Sequence, residues 1–288
     1  MKPPILFILF LYSFQAQLSF AQTTLNDFEI GKLRGKVKSI IETDRNPNDS
    51  LSHYETKTYF NEKGNITSNE AFENGILFRK ATFTYDSLNR VHEKKWKDKS
   101  GVTSDSVLYN YNTDGSWEEK ACLNCVMNPS TITYFDKKSN SYLYKQSKNG
   151  IELKPSYVTH NRYNRKGWLI SSYSKSRKDN FKYDRQGHKL ELKIEFKSEG
   201  SDVIKYDTLG NQIEVIRQKS DGSLVSHFKS TYNEFNDLTA LLIVNAAGKI
   251  VGTIHTITYI YDKQNNWIKA TIIGKDGICI RERIIEYF

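Results

Sequence analysis

One phrase recurs along this chain: an aromatic residue, then Asp or Asn, then Gly or Asn three residues on, then an apolar residue. YDTLGNQI, from Tyr206, is a clear copy. Copies begin at Phe60, Tyr85, Tyr111, Phe135, Tyr163, Tyr183, Tyr206, Tyr232 and Tyr261, with spacings of 25, 26, 24, 28, 20, 23, 26 and 29 residues. A period in this range marks a repeat architecture, in which each unit covers its apolar face only by packing on its neighbours.

Each position of the phrase has a physical reason. The aromatic closes a strand, and the Asp or Asn side chain accepts hydrogen bonds from backbone amides about two residues on, seeding a turn. Gly64, Asn89, Gly115, Gly187, Gly210 and Asn265 are residue types that reach positive φ at low cost. Ile66, Val91, Trp117, Leu190, Ile213, Leu238 and Trp267 then open the return strand. A simpler set of turns lies between the copies, as in Glu73-Asn74-Gly75, Ser220-Asp221-Gly222 and Ala246-Ala247-Gly248. The chain therefore reverses about every dozen residues.

Between the turns the side chains alternate with the period of two of a half-buried strand, as for Ile257, Tyr259 and Tyr261 against Thr256, Thr258 and Ile260. The expectation is an all-β protein: an antiparallel β-hairpin repeat meander over 35–288, a single domain, curled or folded into a strip so that its apolar face is covered. Residues 22–34 form a lead-in. The two end strands of such a strip carry unpaired ladder groups and invite edge-strand self-association.

The Tyr-Asp-x-x-Gly phrase at this period resembles the YD repeats of the bacterial RHS family, in the style of short exported members led by a segment like LRGKVKSI from Leu33. The likeness spans roughly residues 35–288. It implies a coiled strip of β-hairpins. In large members that strip encloses a toxin, and this chain is too short for such a shell and lacks the Pro- and Gly-rich self-cleaving segment that ends it. The toxin-delivery role is therefore not carried over.

Residues 1–21 read as a secretory signal peptide: Lys2, an apolar run from Ile5 to about Phe14, and Ser19 and Ala21 before the cleavage point. Export to the periplasm or the outside follows, and no later run is long enough for a spanning helix, so stable membrane insertion is not expected. Losing Lys2 lowers the net charge from +9 to +8. Because the charges alternate in sign along the chain, they describe a solvated surface better than a nucleic-acid-binding arm. Cys122 and Cys125, in CLNC, invite a local disulfide or sit as loop thiols, and Cys279 is available for intermolecular pairing.

The six histidines, His53, His92, His160, His188, His227 and His255, never pair at ligand spacing, and the repeated Asp residues are explained by turn formation. No metal, cofactor or catalytic residue is assigned. The tryptophans are the best candidates for contact with a ligand. Trp117, Trp168 and Trp267 fall at or beside the slot after the turn, with Trp96 farther along its strand, and flat aromatics of this kind stack on sugar rings. The same slot elsewhere holds Ile66, Val91 and Ile213, which favours packing. The expected function is a non-enzymatic binding or scaffold module with a protein or glycan partner. The alternative is an envelope enzyme or an RHS toxin-associated component with an unidentified site.

Overall fold

The structure, a computed structural model, describes residues 32–46, 49–123, 131–137, 140–148, 151–152, 157–275 and 277–288. The expected signal peptide and Cys125 lie outside the described residues. Among the described residues the 21 regular elements are all strands, β1 to β21 in chain order, and every pairing is antiparallel. The all-β hairpin reading therefore holds.

The curled or folded strip of the sequence reading, which left closure undecided, is a closed one. β1 (Val37–Asn46) pairs on one side with β2 (Asp49–Phe60) and on the other with β21 (Gly277–Tyr287). On the far side of the ring β9 (Ser141–Lys148) pairs directly with β11 (Tyr157–Tyr163), leaving the two-residue β10 (Ile151–Glu152) as a side branch on β9. Twenty of the 21 strands thus form one closed barrel. The free edges needed for strand addition are taken up by the β1–β21 ladder. Closure is favourable because it satisfies the backbone donors and acceptors that an open strip would leave on both end strands.

Residues opposite one another in a ladder share a face, and following the registers around the barrel sorts the side chains. Val37, Ile40, Phe60, Ala81, Ile194, Tyr206 and Ala270, all buried, fall on the inner face. Exposed Phe78, Val225, Ile260, Ile273 and Ile284 fall on the outer one. Few side chains are fully buried even inside. Contacts run almost wholly between ladder neighbours, as befits a ring larger than the roughly 16–18 strands that already leave a water-filled interior. The densest packing is at the closure, where Val37, Ile40 and Phe60 are covered by Leu33, Ile66, Ile285 and Tyr287.

The recurrent phrase forms one rim of the barrel. Asp86 is typical of its turns. Its Oδ1 accepts from the amides of Leu88 and Arg90 at 3.0 and 2.8 Å, while Asn89 takes φ +64°. Asn61, Asn164, Asp184, Asp207, Asn233 and Asp262 repeat the arrangement. Asn112 departs from it: there Asp114 Oδ1 accepts from the Ser116 amide at 2.8 Å, and Ser116 is buried.

The anchors do more than fill space. The hydroxyl of Tyr85 donates to the carbonyl of Ile66 at 2.7 Å, Tyr111 to Val91, Tyr183 to Leu169 and Tyr232 to Gln212, each at 2.9 Å. Each acceptor opens the return strand of the preceding copy, so these bonds tie one hairpin to the next. Each contributes about 0.5–1.5 kcal/mol net. Tyr163 is the exception among the anchors, at 40% exposure.

Candidate binding surfaces inside the barrel and on its rims

The turns of the phrase rim are cross-linked by amide side chains. Asn65 donates to Asn89 Oδ1 at 2.7 Å, and Asn211 likewise donates to Asn236. Asn266 donates to the Tyr287 hydroxyl at 2.8 Å. These three donors are buried, and in such places an unmet amide is costly. The described end of the lead-in, residues 32–34, lies on the same rim. Lys32 Nζ donates to Asn211 Oδ1 at 2.8 Å and to the Asn236 carbonyl at 3.0 Å, and Arg34 donates to the Phe235 and Asn265 carbonyls. Burial lowers the Lys32 ammonium pKa, with Asp237 and Asp207 opposing.

Just inside this rim lies the seam. Arg283 Nε donates to Glu42 Oε2 at 2.7 Å, and its guanidinium stacks 3.3 Å from the centre of the Trp267 ring. Arg281 forms a two-pronged pair with Asp44, at 2.8 Å on one prong. Burial pushes the Arg283 guanidinium down against the pull of Glu42. The register sets Glu42 opposite Arg283 and Asp44 opposite Arg281, so the ladder that closes the ring is also an ionic one. A cavity bounded by Lys32, Arg34, Asp237, Trp267 and Arg283 measures about 10 Å³, at the lower limit for a single water.

The four tryptophans are all half-buried. Trp96, Trp117 and Trp267 fall on the inner face, each within its own cluster. Trp117 lies 5.9–6.5 Å from Tyr109, Phe135 and Tyr142. Trp267 lies 6.0 Å from Tyr259. Trp168 sits 5.5 Å from Tyr183, with Lys166 4.5 Å over its ring. Trp96 is covered by Arg79 at 5.7 Å. Their strands are spread around the barrel, and Trp96 and Trp117 face residues six apart on the strand between them, roughly 20 Å along it. The structure does not bring the four together as one platform.

Cys279 faces inward on β21, and burial first, then Asp44, pushes its thiol pKa up. Among the described residues no group of His, Cys, Asp and Glu is arranged to hold a metal ion. Two inner residues carry buried atoms without a partner: both amide atoms of Asn161, and Nδ1 of His255, whose pKa is lowered by burial.

The opposite rim, made by the simpler turns, has one irregular place. β12 (Leu169–Tyr173), five residues long, is the shortest strand of the ring and pairs through only three residues with β13 (Arg177–Tyr183). This is where copies of the phrase stand only 20 residues apart. Beside it opens a cleft of about 210 Å³ lined by Lys175, Arg177, Lys178, Glu195, Phe196 and Lys197 together with Ser174 and Ser176. Sequence reasoning did not single these residues out, although the contracted spacing marked the place.

No protein-family model and no curated protein matches the chain. Among solved structures, a crystal structure of TcdB2-TccC3 is similar at 14% identity and a TM-score of 0.35, covering 78% of this chain and 12% of that one. A porin-like protein from Bacteroides uniformis is similar at 12% identity and a TM-score of 0.35, covering 87% of this chain and 98% of that one. The chain spans about an eighth of the former's length. Similarities this low carry no weight for function. No helix among the described residues is long and apolar enough to cross a membrane, which says nothing of a β-barrel.

Proposed function

We propose that the chain is an exported, non-enzymatic binding or scaffold module, working in the periplasm or outside the cell, whose wide barrel presents aromatic and polar side chains to a glycan or protein partner. The observation that supports it is the division of labour between the two faces. The inner face carries Trp96, Trp117 and Trp267, half-exposed, among tyrosines and paired charges. The outer face carries ion pairs on strand after strand, as in Lys80–Glu70, Lys182–Glu191, Lys205–Glu214 and Lys269–Glu282. A membrane-spanning barrel needs an outward apolar band roughly 25 Å tall, and these charges favour water on the outside.

The test is a glycan array combined with an envelope-protein pull-down, using the chain from Gln22 and a Trp117→Ala, Trp267→Ala variant. Binding of a defined glycan that the variant loses is the expected result. Silence in both assays, or turnover of a substrate by the purified chain, overturns the proposal.

A further inference from the structure

We propose that the cleft beside β12 is a binding site for a compact oxyanion, sulfate or phosphate, presented on a larger molecule. The reasoning starts with the strand count. At the phrase rim the Tyr183 hydroxyl ties β13 to the Leu169 carbonyl at the start of β12, so residues missing from that hairpin show up as a dip at the opposite rim. β12 is two residues shorter than β11 and β13; its last residue, Tyr173, stands opposite His160 and Lys178, so at this rim β11 runs on for three residues and β13 for one, about 10 Å and about 3 Å. The turn at the dip is also unlike its neighbours. Gly75, Gly101, Gly200, Gly222 and Gly248 give the other turns a positive-φ glycine, whereas Ser174 closes this one directly, its amide donating to the Arg177 carbonyl at 2.8 Å. A side-chain-bearing turn of Ser174, Lys175 and Ser176 replaces a bare one.

Charge completes the site. Lys175, Arg177, Lys178 and Lys197 line the cleft against one acid, Glu195. Glu195 is already engaged by Lys193 at 2.7 Å and by Asn180. Arg177 is fixed by two bonds to buried Asp179, at 2.7 and 2.9 Å, and stacks 5.7 Å from the Phe196 ring. Lys175 and Lys197 make no ion pair among the described residues, and both are exposed. The turn and the neighbouring strand are locked together by the Lys197 amide donating to the Ser176 carbonyl at 3.0 Å, so the two lysines are presented from a fixed frame. Point-charge ammonium groups around an apolar floor suit an anion with several equivalent oxygens. The seam cavity near Arg283 offers no comparable space.

Inner-face residues lead to this place as well. Asn161, Ser172 and Asp179 stand opposite one another on successive strands, and the unpartnered Asn161 amide therefore lies in the same sector as the carboxylate that orients Arg177. Polar groups held without partners are a cost that ordinary folding does not require.

The experiment is titration calorimetry of the chain from Gln22 with inorganic sulfate and inorganic phosphate at low salt, and with heparin as a sulfated glycan. It is run on the wild type, on Lys175→Ala/Lys197→Ala, and on a control of equal charge loss at the other rim, Lys63→Ala/Lys263→Ala. The wild type and the control are expected to bind alike, and the notch variant to bind at least about tenfold more weakly, with circular dichroism unchanged. Failure of the wild type to bind any of the three, or equal weakening by both double variants, overturns the site. Binding of the inorganic ions without heparin keeps the site and removes a sulfated glycan as its source. Loss of heparin binding in Trp117→Ala/Trp267→Ala but not in the notch variant supports the proposed function while overturning this inference.

Discussion

The two rims of the barrel are built from the same strands and hold together differently. At the phrase rim Asn65 and Asn211 each bond one turn to the next and Asn266 reaches the Tyr287 hydroxyl, tyrosine hydroxyls reach across to the preceding hairpin, and Lys32 and Arg34 cross over the turns. At the opposite rim the described turns are short and mostly closed by glycine, and links between neighbouring turns include backbone ones: the Lys197 amide donates to the Ser176 carbonyl, and Gly200 packs against the backbone of Gln218 and Lys219. A rim whose turns depend on one another resists change. The opposite rim, with fewer side-chain bonds from turn to turn, carries a shortened strand and a cluster of lysines at β12.

That contrast is breakable at the seam first. Glu42→Ala leaves Arg283, whose side chain is 19% exposed, without its carboxylate and is expected to cost about 3 kcal/mol in urea denaturation, whereas Glu42→Leu with Arg283→Leu recovers most of the loss. The outer pair Lys80–Glu70, cut by Lys80→Ala, should cost only about 0–1 kcal/mol. Equal effects would mean that the seam is not the point of closure.

Asn211→Ala removes bonds to three rim partners and is expected to cost about 1–3 kcal/mol. Tyr85→Phe, Tyr111→Phe, Tyr183→Phe and Tyr232→Phe each remove one hydroxyl, for about 1 kcal/mol apiece. Their effects should add within a few tenths of a kcal/mol. Strong non-additivity would show that the hairpins are coupled beyond nearest neighbours.

Acid tests the carboxylates that shape the turns. Burial works against the ionised form at Asp86 and Asp207, but the bonds from Arg90 and from Asn211 and Leu209 outweigh it and hold both carboxyls below the usual range. At Asp98 and Asp114 the hydroxyls of Ser100 and Ser116 act first in the same direction. A folded-state pKa below the unfolded one means that the unfolded chain takes up protons first as pH falls. The stabilisation is complete above about pH 4 and is lost as pH drops through the folded values. Denaturation midpoints should therefore be flat near neutrality and fall below about pH 4, less steeply in Asp207→Asn. The smallest effect is expected at the notch, where Lys175→Ala should change stability by no more than about 0.5 kcal/mol.

Much of this was legible in the chain. Asp86, Asn89 and their equivalents announce their turns by local chemistry, because the bonds that shape each turn lie within four residues. Tyr rather than Phe at seven of the nine anchors was a signal for the hydroxyl bonds, one that reading the ring as apolar bulk passes over. Closure left no such trace. Glu42 and Arg283 are 241 residues apart, and nothing near either residue distinguishes an end strand that finds a partner from one that does not. The lysine cleft was hidden for the same reason, since Lys175 and Lys197 meet only when β13 and β14 (Lys189–Phe196) pair.

Closing the ring with its first and last strands sets an order of events. A chain delivered from its amino end presents β1 long before β21 exists, so one side of β1 must remain without its ladder until the final residues arrive. Pairing at such separation is slow, and in the interval the waiting edge is open to any other extended peptide. For a chain of this design the hazardous period is biogenesis rather than service, and it ends when Tyr287 comes to lie beside Val37.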